Sequence, residues 1–285
     1  MAASGVRNMR QQKNLLMIFV IGVAIRIGLA TWGGHSDVQF HYTWGDLVMR
    51  YRLINTYAAE ASEVSYSIEQ EAIYPPLSLL SLGAAYSAHH TLSAILPATA
   101  SYGWRLVFIK LPAILADTAI AGLVWFRGRR QAGAGWIAAA IMLNPALIYL
   151  SAVWGQIDSL YVLCAVAAAL LATTGNWFLA GACLAASIMF KVQGIVIMPV
   201  LGLILAAHSL KGSGSVHDRL KGVFRNSMAF ASGLLLILAA CVGPFVLNGQ
   251  GPILLKRLFS TLSTERGWIT INALNFWYLI VGNSG

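Results

Sequence analysis

The sequence predicts an all-α protein, a polytopic bundle of transmembrane helices with about eight membrane-embedded segments, one of them re-entrant or broken. Three observations predict it. Of the 285 residues 58% are hydrophobic and only 10% charged, against roughly 25% charged in a soluble globular domain. Several apolar runs reach the ~18–20 residues that cross ~30 Å of hydrocarbon as a helix, and backbone amides in lipid need the internal partners a helix supplies. The basic residues sit in short clusters between those runs, the distribution that sets membrane orientation. That dispersal also argues against nucleic acid as a partner, despite a net charge of +9.

The elements follow in order within a single domain, 1–285. A basic start (Arg7, Arg10, Lys13) precedes a first span at 14–32 that is long and lacks a small-residue cleavage site, so it reads as an anchor rather than a removed signal. The polar stretch 33–73 holds six of the ten acidic residues (Asp37, Asp46, Glu60, Glu63, Glu69, Glu71) and reads as an outer loop. Basic clusters at Arg127, Arg129, Arg130 and at Lys211, Arg219, Lys221, Arg225 should share the cytoplasmic side with the start. That parity makes 74–102 a re-entrant or hairpin segment turning near His89 and His90. A single full crossing there would invert everything after it. Membrane helices are expected at 104–126, 134–153, 157–174, 177–190, 192–207 and 226–247, with 177–190 and 192–207 meeting as a broken pair near Lys191. Residues 248–285 form an outer segment and the start of a further helix. Very short connections, such as 173–176, make neighbouring helices antiparallel. Small residues at 165–172 and 181–187 suit close helix approach in lipid. Cys164, Cys183 and Cys241 lie in apolar runs without pairing or metal-ligand spacing.

An ionisable side chain within a span costs roughly 2.5–3.5 kcal/mol on insertion scales, so each needs a cavity, a partner or a task. On this topology Asp37, Lys110, Asp117, Asp158 and Lys191 all fall near the outer face and converge. Asp37 follows the first span with His41, Trp44 and Asp46 close behind; a carboxylate part-desolvated at the bilayer edge suits a general base, and a solvated loop carboxylate is the plainer reading. Tyr74-Pro75-Pro76-Leu77 opens the next segment, where proline at a first helical turn loses no hydrogen bond. Trp154-Gly155-Gln156-Ile157-Asp158-Ser159 interrupts two apolar helices without a proper loop, which survives at membrane depth only in protein or against a water-filled cavity. A helix cap explains Asp158 or Ser159 but not Trp154 and Gln156. Lys191, with Gln193 behind it, can pair with a phosphate or with Asp158, or snorkel to the interface. Lys110 and Asp117 lie two turns apart on one helix face and can address one cavity, or ion-pair with other helices. His89 and His90 are adjacent and diverge on a helix, so no metal site is expected. Asn272, Asn275 and Trp277 place two amides and an aromatic ring at a membrane boundary, suited to stacking on a sugar or to an aromatic belt.

Taken together, Asp37, Tyr74-Pro75-Pro76-Leu77, Lys110-Leu111-Pro112 with Asp117, Asn144-Pro145, Trp154 to Ser159, Lys191-Val192-Gln193-Gly194 with Pro199, and Asn272-Ala273-Leu274-Asn275-Phe276-Trp277 resemble the GT-C superfamily of membrane glycosyltransferases. The likeness is greatest to bacterial mannosyltransferase-like proteins related to the second mannosyltransferase of GPI-anchor synthesis. The resemblance implies a multi-pass protein of the plasma (inner) membrane whose active face is extracytoplasmic. It would pass one sugar, with inversion, from a polyprenyl-phosphate donor to a glycan or lipid acceptor, and mannose is the sugar it favours. It implies Asp37 as base, Lys191 with Lys110 or Arg105 at the departing phosphate, and Trp154, Gln156 and Asp158 at sugar or acceptor hydroxyls. It implies no cofactor, although some related families use a divalent metal. Members usually continue for several spans past the Asn272 motif, so by this resemblance the chain is C-terminally short. A transporter or flippase for a polar or lipid-linked solute is the alternative, since it too gathers charges and broken helices around a midplane cavity; no internal repeat is evident to support it.

Overall fold

A computed structural model of the chain describes residues 2–33, 36–59, 71–129, 131, 133–210 and 215–264. All regular structure among them is helical: α1 (Ala2–Ala30), α2 (Ser36–Asn55), α3 (Pro76–Ile95), α4 (Tyr102–Gly128), α5 (Ala134–Met142), α6 (Pro145–Ile148), α7 (Asp158–Thr173), α8 (Trp177–Phe190), α9 (Met198–Leu210), α10 (Val216–Leu247) and α11 (Gly251–Thr264). Three helices are long and apolar enough to cross a membrane, at Lys13–Ala30, Tyr102–Gly128 and Val216–Leu247. A fourth span results if the pair Ala134–Met142 and Pro145–Trp154, bent by 41°, counts as one. The apolar helices Asp158–Thr173, Trp177–Phe190 and Val192–His208 are shorter.

Local sequence sets the breaks. Pro145 cannot continue the amide ladder of α5, and Asn144 caps α6 by accepting from the amides of Ala146 and Leu147 at 2.9 and 3.3 Å. A π turn, Tyr149–Trp154, follows and ends at Gly155, whose φ of +82° favours glycine. Lys191 is extended between α8 and the 3₁₀ turn Val192–Ile197. Ser215 and Asp218 form a capping box that starts α10. Glycines let α8 and α10 touch backbone to backbone. A Cβ on Gly181 would sit 1.9 Å from the Phe230 carbonyl oxygen, and one on Gly233 1.9 Å from that of Phe178.

Two differences from expectation concern the segment between the first two long helices. Residues 36–55 are not loop but helix α2, which buries Val38, Trp44 and Leu47. Several of the polar side chains that suggested a loop, His41, Thr43 and Asp46, are buried in this helix beside its apolar ones. The turn expected at His89 and His90 is absent: α3 runs through both and stops at Ile95, before Pro97. No glycine or proline interrupts it there. His89 is accommodated because its Nε2 lies 3.2 Å from the Thr99 carbonyl and its ring packs on Phe108.

Helices α2 and α3 form a layer across one end of the bundle. Their buried Val38, Trp44, Leu47, Leu79 and Leu82 share one core with Leu106 and Ile109 near the start of α4, Ile157 before α7, Phe245 near the end of α10 and Leu254 of α11. The Ser78 hydroxyl donates to the Phe190 carbonyl at the end of α8. Ala30 at the end of α1 packs with Val107 and Ala152 at this same end.

Candidate functional site

Asp37 occupies the first turn of α2. Its Oδ2 accepts from the Trp154 indole Nε1 at 3.0 Å and from the Gln156 amide. The chain can bring these groups together because Gly155 lies between them. A Cβ there would meet Val38 Cγ2 at 2.4 Å, so a larger residue would push α2 away. Trp154 and Gln156, 117 and 119 residues from Asp37 in sequence, thus form one constellation with it at the end of the π turn.

Asp158, the first residue of α7, pairs with Lys191 across the bundle. The Lys191 ammonium lies 5.5 Å from the centroid of the Tyr74 ring, within cation–π range. Tyr74 in turn packs on Trp44 and His41, with centroids 5.1 and 5.7 Å away. His41 is 1% exposed and joins the two halves of the site. Burial holds its pKa down at about 4; Asp37 opposes that shift, Lys191 adds to it, and a hydrogen bond to the Gly155 backbone and the Asp158 charge oppose it. His41 is therefore neutral at pH 7. Its Nδ1 is buried without a hydrogen-bond partner among the described residues. Asp37, Trp154, Gln156, Asp158, Lys191 and Tyr74 are thus brought into one neighbourhood, with His41 at its centre.

The sequence placed His41 close behind Asp37 but gave it no role of its own. The signal was there, since Asp37 and His41 are four apart and share a helix face, but it is legible only once residues 36–55 are known to be helical.

Lys110 and Asp117 do not address a common cavity. Lys110 is fully buried, and its Nζ lies near five main-chain carbonyls: Ala30 at 3.2 Å, Trp32 at 2.9 Å, Gly33 at 3.5 Å, Ala152 at 2.9 Å and Val153 at 3.1 Å. Those carbonyls close the C-terminal ends of α1 and the π turn, where a cation is favoured. An ammonium so occupied is not free to meet a phosphate. Asp117 accepts from Arg26 Nε at 3.3 Å and from the Ser159 hydroxyl at 2.5 Å. Arg26, a basic residue inside the first span that carries no motif of its own, also donates to the carbonyls of Met142 and Gly22 at 2.6 and 3.2 Å. This is the internal ion pair, and it ties α1, α4, α5 and α7 together.

The remaining candidates are dispersed. Arg105 stacks on Tyr42 and Tyr102, 4.6 and 4.8 Å from their ring centroids. Gln193 is exposed on the 3₁₀ turn. Asn272 and Asn275 lie outside the described residues, as does Trp277. No group of three or more His, Cys, Asp or Glu side chains among the described residues could hold a metal ion. A hollow of about 500 Å³, lined by residues 174–178 with Arg225, Asn226 and Ala229, lies at the other end of α7.

The arrangement offers a half-buried carboxylate with two N–H donors on one oxygen, an ammonium, a second carboxylate, and three aromatic rings. Such a set can accept a proton at Asp37, meet an anion at Lys191, and hold hydroxyls at Gln156 and Asp158. No protein-family model and no curated protein sequence matches this chain.

Proposed function

We infer that the chain is a multi-pass glycosyltransferase of the plasma membrane. It moves one sugar from a polyprenyl-phosphate donor to a glycan or lipid acceptor on the extracytoplasmic side. The observation that carries this reading is the placement of Asp37 beside Trp154 and Gln156 while Asp158 and Lys191 pair within the same His41-centred neighbourhood. In this reading α1, the α5–α6 pair, α4, α7, α8, α9 and α10 are embedded in the membrane, with α3 lying at the outer face. That gives seven embedded segments, one fewer than the sequence predicts, because α3 is not counted among them. Asp37 takes the proton from the acceptor hydroxyl as the glycosyl carbon inverts, and Lys191 exchanges Asp158 for the departing lipid phosphate.

The test is transfer from a defined polyprenyl-phosphate sugar by the reconstituted full chain and by Asp37→Asn. Transfer should be lost in the variant with its melting temperature retained. Wild-type turnover in Asp37→Asn removes Asp37 from the base role.

The extended break at Lys191 between two apolar helices favours a second reading, transport of an anionic solute. Uptake that depends on Asp158, with no change in any lipid-linked sugar, decides for it.

A further inference from the structure

We propose that Lys110 is a positioning residue: its ammonium fastens the ends of α1 and the π turn to one point and thereby sets Asp37 against Trp154 and Gln156. The proposal rests on the transferase reading for its consequence to rate, but not for its geometry.

The five carbonyls around Nζ come from only two places. Ala30, Trp32 and Gly33 lie just ahead of the helix that carries Asp37, and Ala152 and Val153 lie just ahead of Trp154 and Gln156. Each strand of chain leaving the ammonium therefore delivers one side of the Asp37 contact within a few residues. Carbonyls at two helix ends carry like partial charges and repel when brought together in a medium of low dielectric. A buried cation between them turns that repulsion into attraction, and among the described residues its hydrogen-bond partners are main-chain carbonyls rather than carboxylates.

The methylene stem acts at the same place. A Cβ on Gly155 would lie 3.1 Å from Lys110 Cε and 3.2 Å from Cγ, as well as 2.4 Å from Val38 Cγ2. Gly155 is thus seated between the lysine stem and the residue that follows Asp37. Neutral, shorter or displaced side chains at position 110 release both strands of chain together.

The experiment reads the Trp154 indole N–H in ¹⁵N-indole spectra of the full chain in detergent micelles, assigned among the nine tryptophans by its absence in Trp154→Phe. Asp37→Ala gives the position of an indole without its acceptor. In Lys110→Met, and separately in Gly155→Ala, the Trp154 signal should move at least half way to that position. Leu184→Ala, a cavity in the core of α7 and α8 remote from Lys110, should leave it in place. In the transfer assay turnover should fall about a hundredfold, as expected of a misplaced reacting group, with the donor KM unchanged. An unmoved Trp154 signal in Lys110→Met overturns the proposal. If that variant does not fold, an unmoved signal in Gly155→Ala does so. A signal that moves equally in Leu184→Ala overturns it as well. Should Asp37→Asn keep full transfer activity, the transferase reading fails while the indole shifts still decide the role of Lys110.

Discussion

Asp158 and Lys191, 33 residues apart in sequence, form an ion pair between the first residue of α7 and the extended residue that follows α8. The pair is only partly covered, with side-chain exposures of 35% and 17%. It therefore does two things at once. It closes the interruption between α8 and the 3₁₀ turn, and it leaves the ammonium within reach of an incoming anion.

Breaking the pair from one side should cost more than removing both charges. Lys191→Met and Asp158→Asn are each expected to lose about 1–2 kcal/mol of stability in detergent, with a coupling of about 1 kcal/mol in the double variant. Chemical unfolding of the four proteins checks this. Strict additivity would mean that the contact contributes nothing to the fold.

His41 gives the site a pH dependence of definite sign. It lies in the α2–α3 layer rather than in one of the long spans, and burial holds its folded pKa near 4, below the ordinary 6.5. The folded chain therefore holds fewer protons than the unfolded one between those values. This contribution is fully present above pH 6.5 and is lost as pH falls through about 4, a change of about 3 kcal/mol. Thermal melting at pH 7 and at pH 4.5 should show the loss in wild type and a smaller one in His41→Gln. Equal losses in both proteins would assign the pH response to the carboxylates.

Arg26 and Asp117 are both buried, with side-chain exposures of 0% and 2%. Removing one partner strands the other charge, so Asp117→Ala should cost about 3–5 kcal/mol. The double variant Arg26→Met with Asp117→Leu should recover most of that loss, because apolar groups in lipid need no partner. Unfolding in mild detergent measures both. A double variant as unstable as Asp117→Ala would show that the carbonyl contacts of Arg26 to Gly22 and Met142 carry the stability instead.

Composition and periodicity made the helical, membrane-embedded class legible, because apolar runs of span length have few other solutions. The break at Gly155 was legible too, through backbone chemistry that needs no partner, whereas Pro145 breaks a helix expected to run unbroken over 134–153 and Pro97 ends α3 where no break was expected. The site was half legible. Asp37, Trp154, Gln156, Asp158 and Lys191 stood out as polar groups in apolar surroundings, and the fold gathers them. The destination of a buried charge was not legible. Asp117 finds Arg26, 91 residues away, and Lys110 finds carbonyls, which carry no signature in sequence. The helix α2 was missed because polar residues such as His41, Thr43 and Asp46 are buried in it among the apolar ones, which leaves no helical hydrophobic period to read.

The placement of α3 fixes the orientation of everything after it, and two labelling sites decide it. Ser78 near its start touches the end of α8, while His89 near its end touches Phe108 of α4 and the Thr99 carbonyl of the turn that leads into α4. A helix with both ends on one end of the bundle does not cross it. Cysteines replacing Glu71, just before α3, and Ser101, just after it, should therefore react with an impermeant thiol reagent from the same side of the membrane. Both residues are exposed, so access is not limiting. A cysteine replacing His217, at the start of α10 among Arg219, Lys221 and Arg225, should react from the opposite side, the one the basic cluster predicts to be cytoplasmic. Labelling of Glu71→Cys and Ser101→Cys from opposite sides would make α3 a full crossing, put Arg127 and Arg129 outside, and remove Asp37 and Lys191 from a shared extracytoplasmic face.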